Sequence, residues 1–148
     1  MNGARSGFDF RRSNGPFAVQ AAVQTTATAE SVHEVLAEIA AIGGDRPATL
    51  EEVELARSSL TRGYPRNFET AGQVARGLAQ LALYGLPDDT FEQFVPSVDA
   101  VDAGAVTRAS ARLDPGEMTV VVVGDRAKVE APLAALGIGA PVVMEHEE

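Results

Sequence analysis

Hydrophobic and polar residues alternate along the first 25 residues in the manner of β-strands. Phe8 and Phe10 alternate with charged neighbours, and Ser13-Asn14-Gly15-Pro16 has the composition of a turn. The stretch from Phe17 to Val23 alternates again, with the period of a half-buried strand. This pattern predicts a β-hairpin over residues 1–25.

Residues 26–113 show apolar positions at helical spacing instead. Thr49 and Glu52 stand three residues apart, as in a capping box that satisfies two backbone donors reciprocally, and Thr70 and Gln73 repeat the arrangement. Other helix starts and stops are predicted from single cap residues, glycines and turn sequences. These boundary residues are Thr28, Gly43-Gly44, Tyr84-Gly85-Leu86-Pro87, Asp89 with Glu92, and Asp102.

The C-terminal region contains the longest apolar β-type run. Met118–Val123 follows a predicted turn and is apolar at nearly every position, which predicts a strand covered on both faces. A short helix is predicted over 129–136, with Gly137 as its stop. The chain therefore contains three predicted strands and about six predicted helices.

These elements predict an α/β fold of the α+β kind, in which a small antiparallel or mixed sheet is covered by about five to six helices. A central apolar strand needs neighbours on both edges, so we expect strands from elsewhere to complete the sheet. The chain is predicted to be a single domain or part of one over residues 1–148. Its parts are the β-hairpin (1–25), a helical region (26–113), a strand plus helix (118–136) and an acidic tail (140–148).

The predicted core is aliphatic, because Ala, Val and Leu dominate and aromatic residues make up only 5% of the chain. Apolar positions on the predicted helix faces and on the third strand should be buried together. The predicted core residues are Val32, Leu36, Ile39, Val53, Leu60, Leu78, Leu81, Phe91, Phe94, Val121 and Val123.

Charge and composition exclude several classes of function. The 148 residues carry a formal net charge of −9, and we expect no nucleic-acid or membrane-surface partner because no basic patch can neutralise phosphates. There are no cysteines, which excludes disulfides and thiol catalysis and leaves the compartment undecided. No apolar run approaches the roughly 18 residues of a membrane span, and no signal peptide is expected.

Zinc hydrolysis requires a set of protein ligands and a carboxylate base that this sequence does not supply. His33-Glu34 is the one His-Glu pair, and a second histidine on the same helical face would stand at position 37, which is Ala37. The inverted order His-x-x-Glu-His does not occur, and the other histidine, His146, lies in the acidic tail. We therefore predict no metal ligand in this chain.

Other catalytic and binding patterns are equally incomplete. Ser58-Ser59 lacks the Gly-x-Ser-x-Gly setting of a serine nucleophile. Gly124-Asp125 follows an apolar strand as in nucleotide-binding folds, but a phosphate loop needs several glycines and only one is present. Asp88-Asp89 is explained by helix capping. We predict no catalytic, cofactor-binding or metal residue.

Five short signatures stand in order along most of the chain. Individually they contain three to six common residues, but together they resemble the back half of a domain from the pitrilysin/insulinase-type zinc metallopeptidases, the group that includes the processing peptidases. The signatures are Gly3-Ala4-Arg5-Ser6-Gly7-Phe8, Gly15-Pro16-Phe17-Ala18-Val19, Phe68-Glu69-Thr70, Tyr84-Gly85-Leu86-Pro87-Asp88-Asp89 and Val120-Val121-Val122-Val123-Gly124-Asp125.

The resemblance implies a role without chemistry of its own. In this family, two similar halves close around a chamber; one half carries His-x-x-Glu-His and zinc, and the other is zinc-free and contributes an Arg and a Tyr that hold the substrate backbone. This chain resembles the zinc-free part, and the Arg and Tyr would precede Gly3. No functional residue of the family therefore maps onto this sequence, and zinc is expected only in the catalytic half of a full-length relative.

Two functions of different classes follow as expectations. The first is a non-catalytic scaffold and substrate-chamber portion of such a peptidase, without peptidase activity alone, which meets peptide substrate only in the full assembly. The alternative is a free-standing protein-binding or assembly module that kept the fold without the chemistry. The expected partners are a second copy of the chain, through the hairpin or Met118–Val123, or a zinc-bearing catalytic half or subunit.

Overall fold

A computed structural model describes residues 3–144 of the chain. It is 58% helical, with six α-helices and a two-stranded antiparallel sheet among the described residues. The α+β class and the excess of helix over strand are therefore confirmed. The elements are β1 (Arg5–Phe8), β2 (Phe17–Gln20), α1 (Thr28–Gly43), α2 (Leu50–Gly63), α3 (Ala71–Tyr84), α4 (Thr90–Asp99), α5 (Ala103–Ser110) and α6 (Arg126–Ala134).

The chain forms two compact units. The described part of the first consists of residues 3–9, Pro16–Ala41 and residues 113–144. The second consists of Phe10–Gly15 and Ile42–Arg112.

The first unit contains the predicted β-hairpin, which is confirmed. β1 and β2 pair antiparallel with Arg5 opposite Gln20 and Phe8 opposite Phe17. The amide of Asp9 donates to the carbonyl of Pro16 at 3.0 Å, and the rings of Phe8 and Phe17 lie 4.9 Å apart. β2 ends at Gln20 rather than at the predicted Val23. The same unit contains most of α1, and α6, which packs against the 3₁₀ turn Thr25–Ala27.

The predicted third strand is wrong. Residues 119–123 form no strand, and none of them makes a backbone hydrogen bond with any residue that the structure describes. Val121 is 75% exposed and Val123 is 97% exposed, so the segment is also not covered on both faces. An apolar, β-branched sequence favours a strand, but a strand exists only where a second edge pairs with it.

The second unit is a set of short helices linked by hydrogen bonds from side chains to backbone carbonyls. The Arg57 guanidinium on α2 donates to the Asp99 carbonyl at 2.8 Å and to the Val101 carbonyl at 3.4 Å, at the end of α4. The buried Ser110 hydroxyl on α5 contacts the Ile42 carbonyl at 3.2 Å. The Asp99 and Ile42 carbonyls lie in the last turns of α4 and α1, where carbonyls have no partner within their own helix.

Most of the predicted helix boundaries are confirmed by their caps. Thr49 and Thr70 each form a complete capping box, and Asp102 accepts from the Ala105 amide at 2.6 Å. Gly85 ends α3 with a φ of 63°, in the left-handed region where a side chain is strained. The predicted break at this position is therefore confirmed.

Two predicted capping bonds and one predicted helix start are wrong. Thr28 does not cap α1, because a 3₁₀ turn precedes it and its hydroxyl instead donates to the Thr25 carbonyl at 3.0 Å. Asp89 stands at the start of α4 but makes no side-chain capping bond. The last helix begins at Arg126 rather than Val129, and an ion pair between Arg126 and Glu130 at 2.7 Å supports the extra turn.

The two capping boxes differ in one testable respect. The Thr49 amide donates to the Glu52 carboxylate at 2.8 Å, which lowers the pKa of Glu52, whereas the second box uses the non-titrating Gln73. A lowered folded pKa means that this contribution is present above the ordinary value of 4.5 and is lost as the pH falls through the folded value. We expect acid to lower the protection factor of the Thr49 amide against hydrogen exchange but not that of the Thr70 amide, as followed by NMR.

The matched control for this pH effect is Glu52→Gln, which copies the chemistry of the second box into the first. The protection factor of the Thr49 amide should then lose its acid dependence while the cap itself is retained. An unchanged acid dependence in Glu52→Gln would show that the Glu52 carboxylate is not its source.

The core is smaller than predicted. Ile39 and Val53 are buried as expected, and Val129 is buried although it was not predicted. Burial was predicted wrongly for four residues that are each more than half exposed, namely Leu60, Leu78, Val121 and Val123. The other predicted core residues are half-buried, namely Val32, Leu36, Leu81, Phe91 and Phe94.

Candidate functional site

The second unit contains a cluster of four aromatic rings. The Tyr64 ring stacks on Phe94 with centroids 4.0 Å apart and planes at 12°, and Phe68 meets Tyr64 and Phe91 edge-on at 5.3 and 5.2 Å. The Tyr64 hydroxyl donates to the Phe91 carbonyl at 3.3 Å, and burial raises the pKa of Tyr64. The cluster packs its rings against each other and presents no reactive group.

Helix α3 approaches this cluster through a glycine. A Cβ atom at Gly77 would lie 3.0 Å from Cζ of Phe91, which is closer than side chains normally pack. Gly72, on the same helix, has nothing within 4 Å of that position. The glycine at 77 therefore serves ring packing.

The sequence signatures of the second unit have structural roles. Thr70 caps α3, Gly85 ends it, and Phe68 belongs to the aromatic cluster. The Tyr84 hydroxyl donates to the Phe10 carbonyl at 3.0 Å and so ties the end of α3 to residues 10–15. Each of these residues acts through capping or packing.

The residues considered for chemistry stand on different elements of the chain. His33 is exposed on α1, Ser59 is exposed on α2, and Ser58 is half-buried there. Asp125 forms an ion pair with Lys128 at 3.1 Å. Within residues 3–144 no three His, Cys, Asp or Glu side chains are grouped closely enough to hold a metal ion. His146 lies outside the described residues.

A cleft in the second unit has a volume of about 450 Å³. Arg11 and Arg12 line it together with Tyr84 and Gly85. Two guanidinium groups favour the binding of an anion. No carboxylate, histidine or serine lines the cleft, so its lining offers neither a nucleophile nor a general base for hydrolysis. No helix in residues 3–144 combines the length and the apolar character needed to cross a membrane.

The segment 118–123 is the most unusual surface of the first unit. Met118 and Val122 are half-buried and Val120 is 38% exposed, whereas Val121 and Val123 are 75% and 97% exposed. This alternation is the period of a strand with one packed face and one open face. We name residues 118–123 the valine segment.

No family model, no curated protein and no solved structure matches the chain.

Proposed function

We propose that this chain is a non-catalytic scaffold whose fold is completed by another polypeptide. The observation that carries the proposal is the valine segment, in which residues 119–123 make no backbone hydrogen bond with any described residue, no residue is charged, and two valines are at least three-quarters exposed. Exposed strands of this kind pair readily with other chains. Assembly is therefore the role that this surface supports best.

The first candidate for the complete protein is a pitrilysin/insulinase-type zinc metallopeptidase, of which this chain would be the zinc-free part. Support comes from the five ordered signatures and from the structural roles of Phe68, Thr70, Tyr84 and Gly85, which are those of scaffold residues. On this proposal, zinc and the base belong to the other half, and this chain supplies part of the chamber wall.

The second candidate is a free-standing assembly module. It is favoured by the hairpin and the valine segment, because the chain itself contains a sheet edge and an unpaired apolar strand sequence. Such a module needs no peptidase half to complete its sheet.

A peptide-hydrolysis assay tests the proposal that the chain has no peptidase activity of its own. The purified chain, with and without added zinc, should not cleave an unstructured peptide faster than buffer, because the ligand set and the base are missing. Zinc-dependent turnover that survives repurification and disappears in His33→Ala would contradict the proposal.

Mixing tests the two candidates. The chain should be combined with a polypeptide that carries His-x-x-Glu-His and a downstream Glu, from the same source. Complex formation with a gain of peptidase activity supports the first candidate. Assembly of the chain that is unaffected by this polypeptide supports the second.

A further inference from the structure

We infer that the valine segment of one copy adds as a strand to the outer edge of β2 in a second copy, and that the exchange is reciprocal. This inference rests on the proposed assembly role and names its partner. It is carried by three features of the first unit: the form of the valine segment, the open edge of β2, and the absence of charge on both.

The valine segment has the features of a β-strand but makes no hydrogen bonds to a neighbouring strand among the described residues. Its side chains alternate between packed and open, and Met118 has an extended backbone with φ −82° and ψ 143°. Thr119 and the four valines that follow are all β-branched, and none of them is charged. Pairing with a sheet edge would satisfy backbone groups that have no protein partner among the described residues.

The outer edge of β2 follows from the hairpin register. Antiparallel pairs alternate between hydrogen-bonded and non-bonded pairs. Because Asp9 donates to Pro16, the next bonded pair is Gly7 with Ala18, and the non-bonded residues of β2 are Phe17 and Val19. The backbone groups of Phe17 and Val19 therefore point away from β1, toward an edge that no described strand occupies.

A second copy fits this edge better than an unrelated partner for two reasons. The chain itself supplies both the strand and the edge, so two copies related by a two-fold axis form two identical ladders. In addition, a chain with a net charge of −9 repels itself, and neutral surfaces are where two copies can approach. Residues 13–29 around β2 contain no charged residue, and neither does 118–124.

Sedimentation equilibrium over a tenfold concentration range tests the dimer. We expect the wild-type chain to shift from monomer to dimer. The double variant Val120→Pro/Val121→Pro should remain monomeric, because proline removes the N–H donor and disfavours a paired strand. No backbone bond of the monomer is lost at these positions, so its circular dichroism should be unchanged.

The matched control is Val121→Thr/Val123→Thr, which keeps the β-branched shape and every N–H donor. It should still form the dimer. If this control also loses the dimer, apolar side-chain burial alone holds the two copies together. That result would overturn the inferred backbone pairing between the valine segment and β2.

Val19→Pro tests the acceptor edge. Its N–H points away from β1, so the hairpin should persist, as shown by NMR contacts between the Phe8 and Phe17 rings. The variant should be monomeric alone. If Val19→Pro alone is dimeric, the valine segment pairs elsewhere and the assignment of β2 is overturned.

Mixing the two proline variants gives the decisive result. Val19→Pro retains an intact valine segment, and Val120→Pro/Val121→Pro retains an intact β2 edge, so one ladder can form between them. We expect heterodimer from two chains that are each monomeric alone, detected by native mass spectrometry. A mixture that stays monomeric overturns the reciprocal exchange.

A monomeric wild-type chain overturns the inference, and two further results then separate it from the proposed function. If that monomer binds the zinc-bearing polypeptide, the valine segment has a different partner and the proposed function stands. If the double proline variant instead destabilises a monomeric wild-type chain, the segment pairs with β2 of its own chain, and completion of the fold by another polypeptide is overturned as well.

Discussion

Val53→Asp is expected to unfold the second unit. Val53 is 4% exposed on α2, which packs against α4 and the 3₁₀ turn Tyr64–Phe68. The substitution removes a buried apolar side chain and places a carboxylate at a position where water cannot hydrate it. We expect a loss of at least about 3 kcal/mol in the free energy of unfolding, measured by urea denaturation.

Leu55→Asp is the matched control, because it makes the same chemical change on the same helix. Leu55 is 71% exposed, so its replacement should change the free energy of unfolding by less than about 0.5 kcal/mol. Equal losses in both variants would contradict the burial pattern of α2.

Tyr64→Ala is expected to have the next largest effect. The ring stacks on Phe94, meets Phe68 edge-on and carries a hydroxyl that donates to the Phe91 carbonyl. Complete removal of a buried aromatic ring costs about 3–5 kcal/mol, and we expect about 2–3 kcal/mol here because Tyr64 is only half-buried. Thermal or urea unfolding provides the measurement.

Tyr64→Phe separates ring packing from the hydroxyl. It keeps the stack and removes one hydrogen bond, so it should cost about 1 kcal/mol or less. A double-mutant cycle of Tyr64→Ala with Phe94→Ala should give a coupling of about 0.5–1.5 kcal/mol. A coupling near zero would mean that the two rings do not stack in solution.

Local elements could be predicted from the sequence because their causes are local. The capping boxes at Thr49 and Thr70 need only side chains and backbone amides three residues apart, and both formed. Gly85 ended α3 because its left-handed conformation favours glycine. The hairpin was likewise predictable from alternation and turn composition.

Burial was predicted less accurately than the local elements. An apolar stripe along a helix shows which residues share a face but not what packs against that face. Leu36 and Leu78 both lie on predicted apolar stripes, yet Leu36 is half-buried and Leu78 is more than half exposed. The difference depends on which elements pack against each helix. Val129 was missed for the related reason that α6 begins a turn earlier than its apolar pattern indicated.

The sequence by itself determined most of the helix boundaries, the hairpin and the β-type character of the valine segment, since each depends on neighbours within a few residues. Only the tertiary structure decided that the valine segment has no strand beside it and that Val121 and Val123 are exposed. The physical reason is that a strand is completed by hydrogen bonds to an edge distant in sequence, whereas a helix closes its bonds within itself.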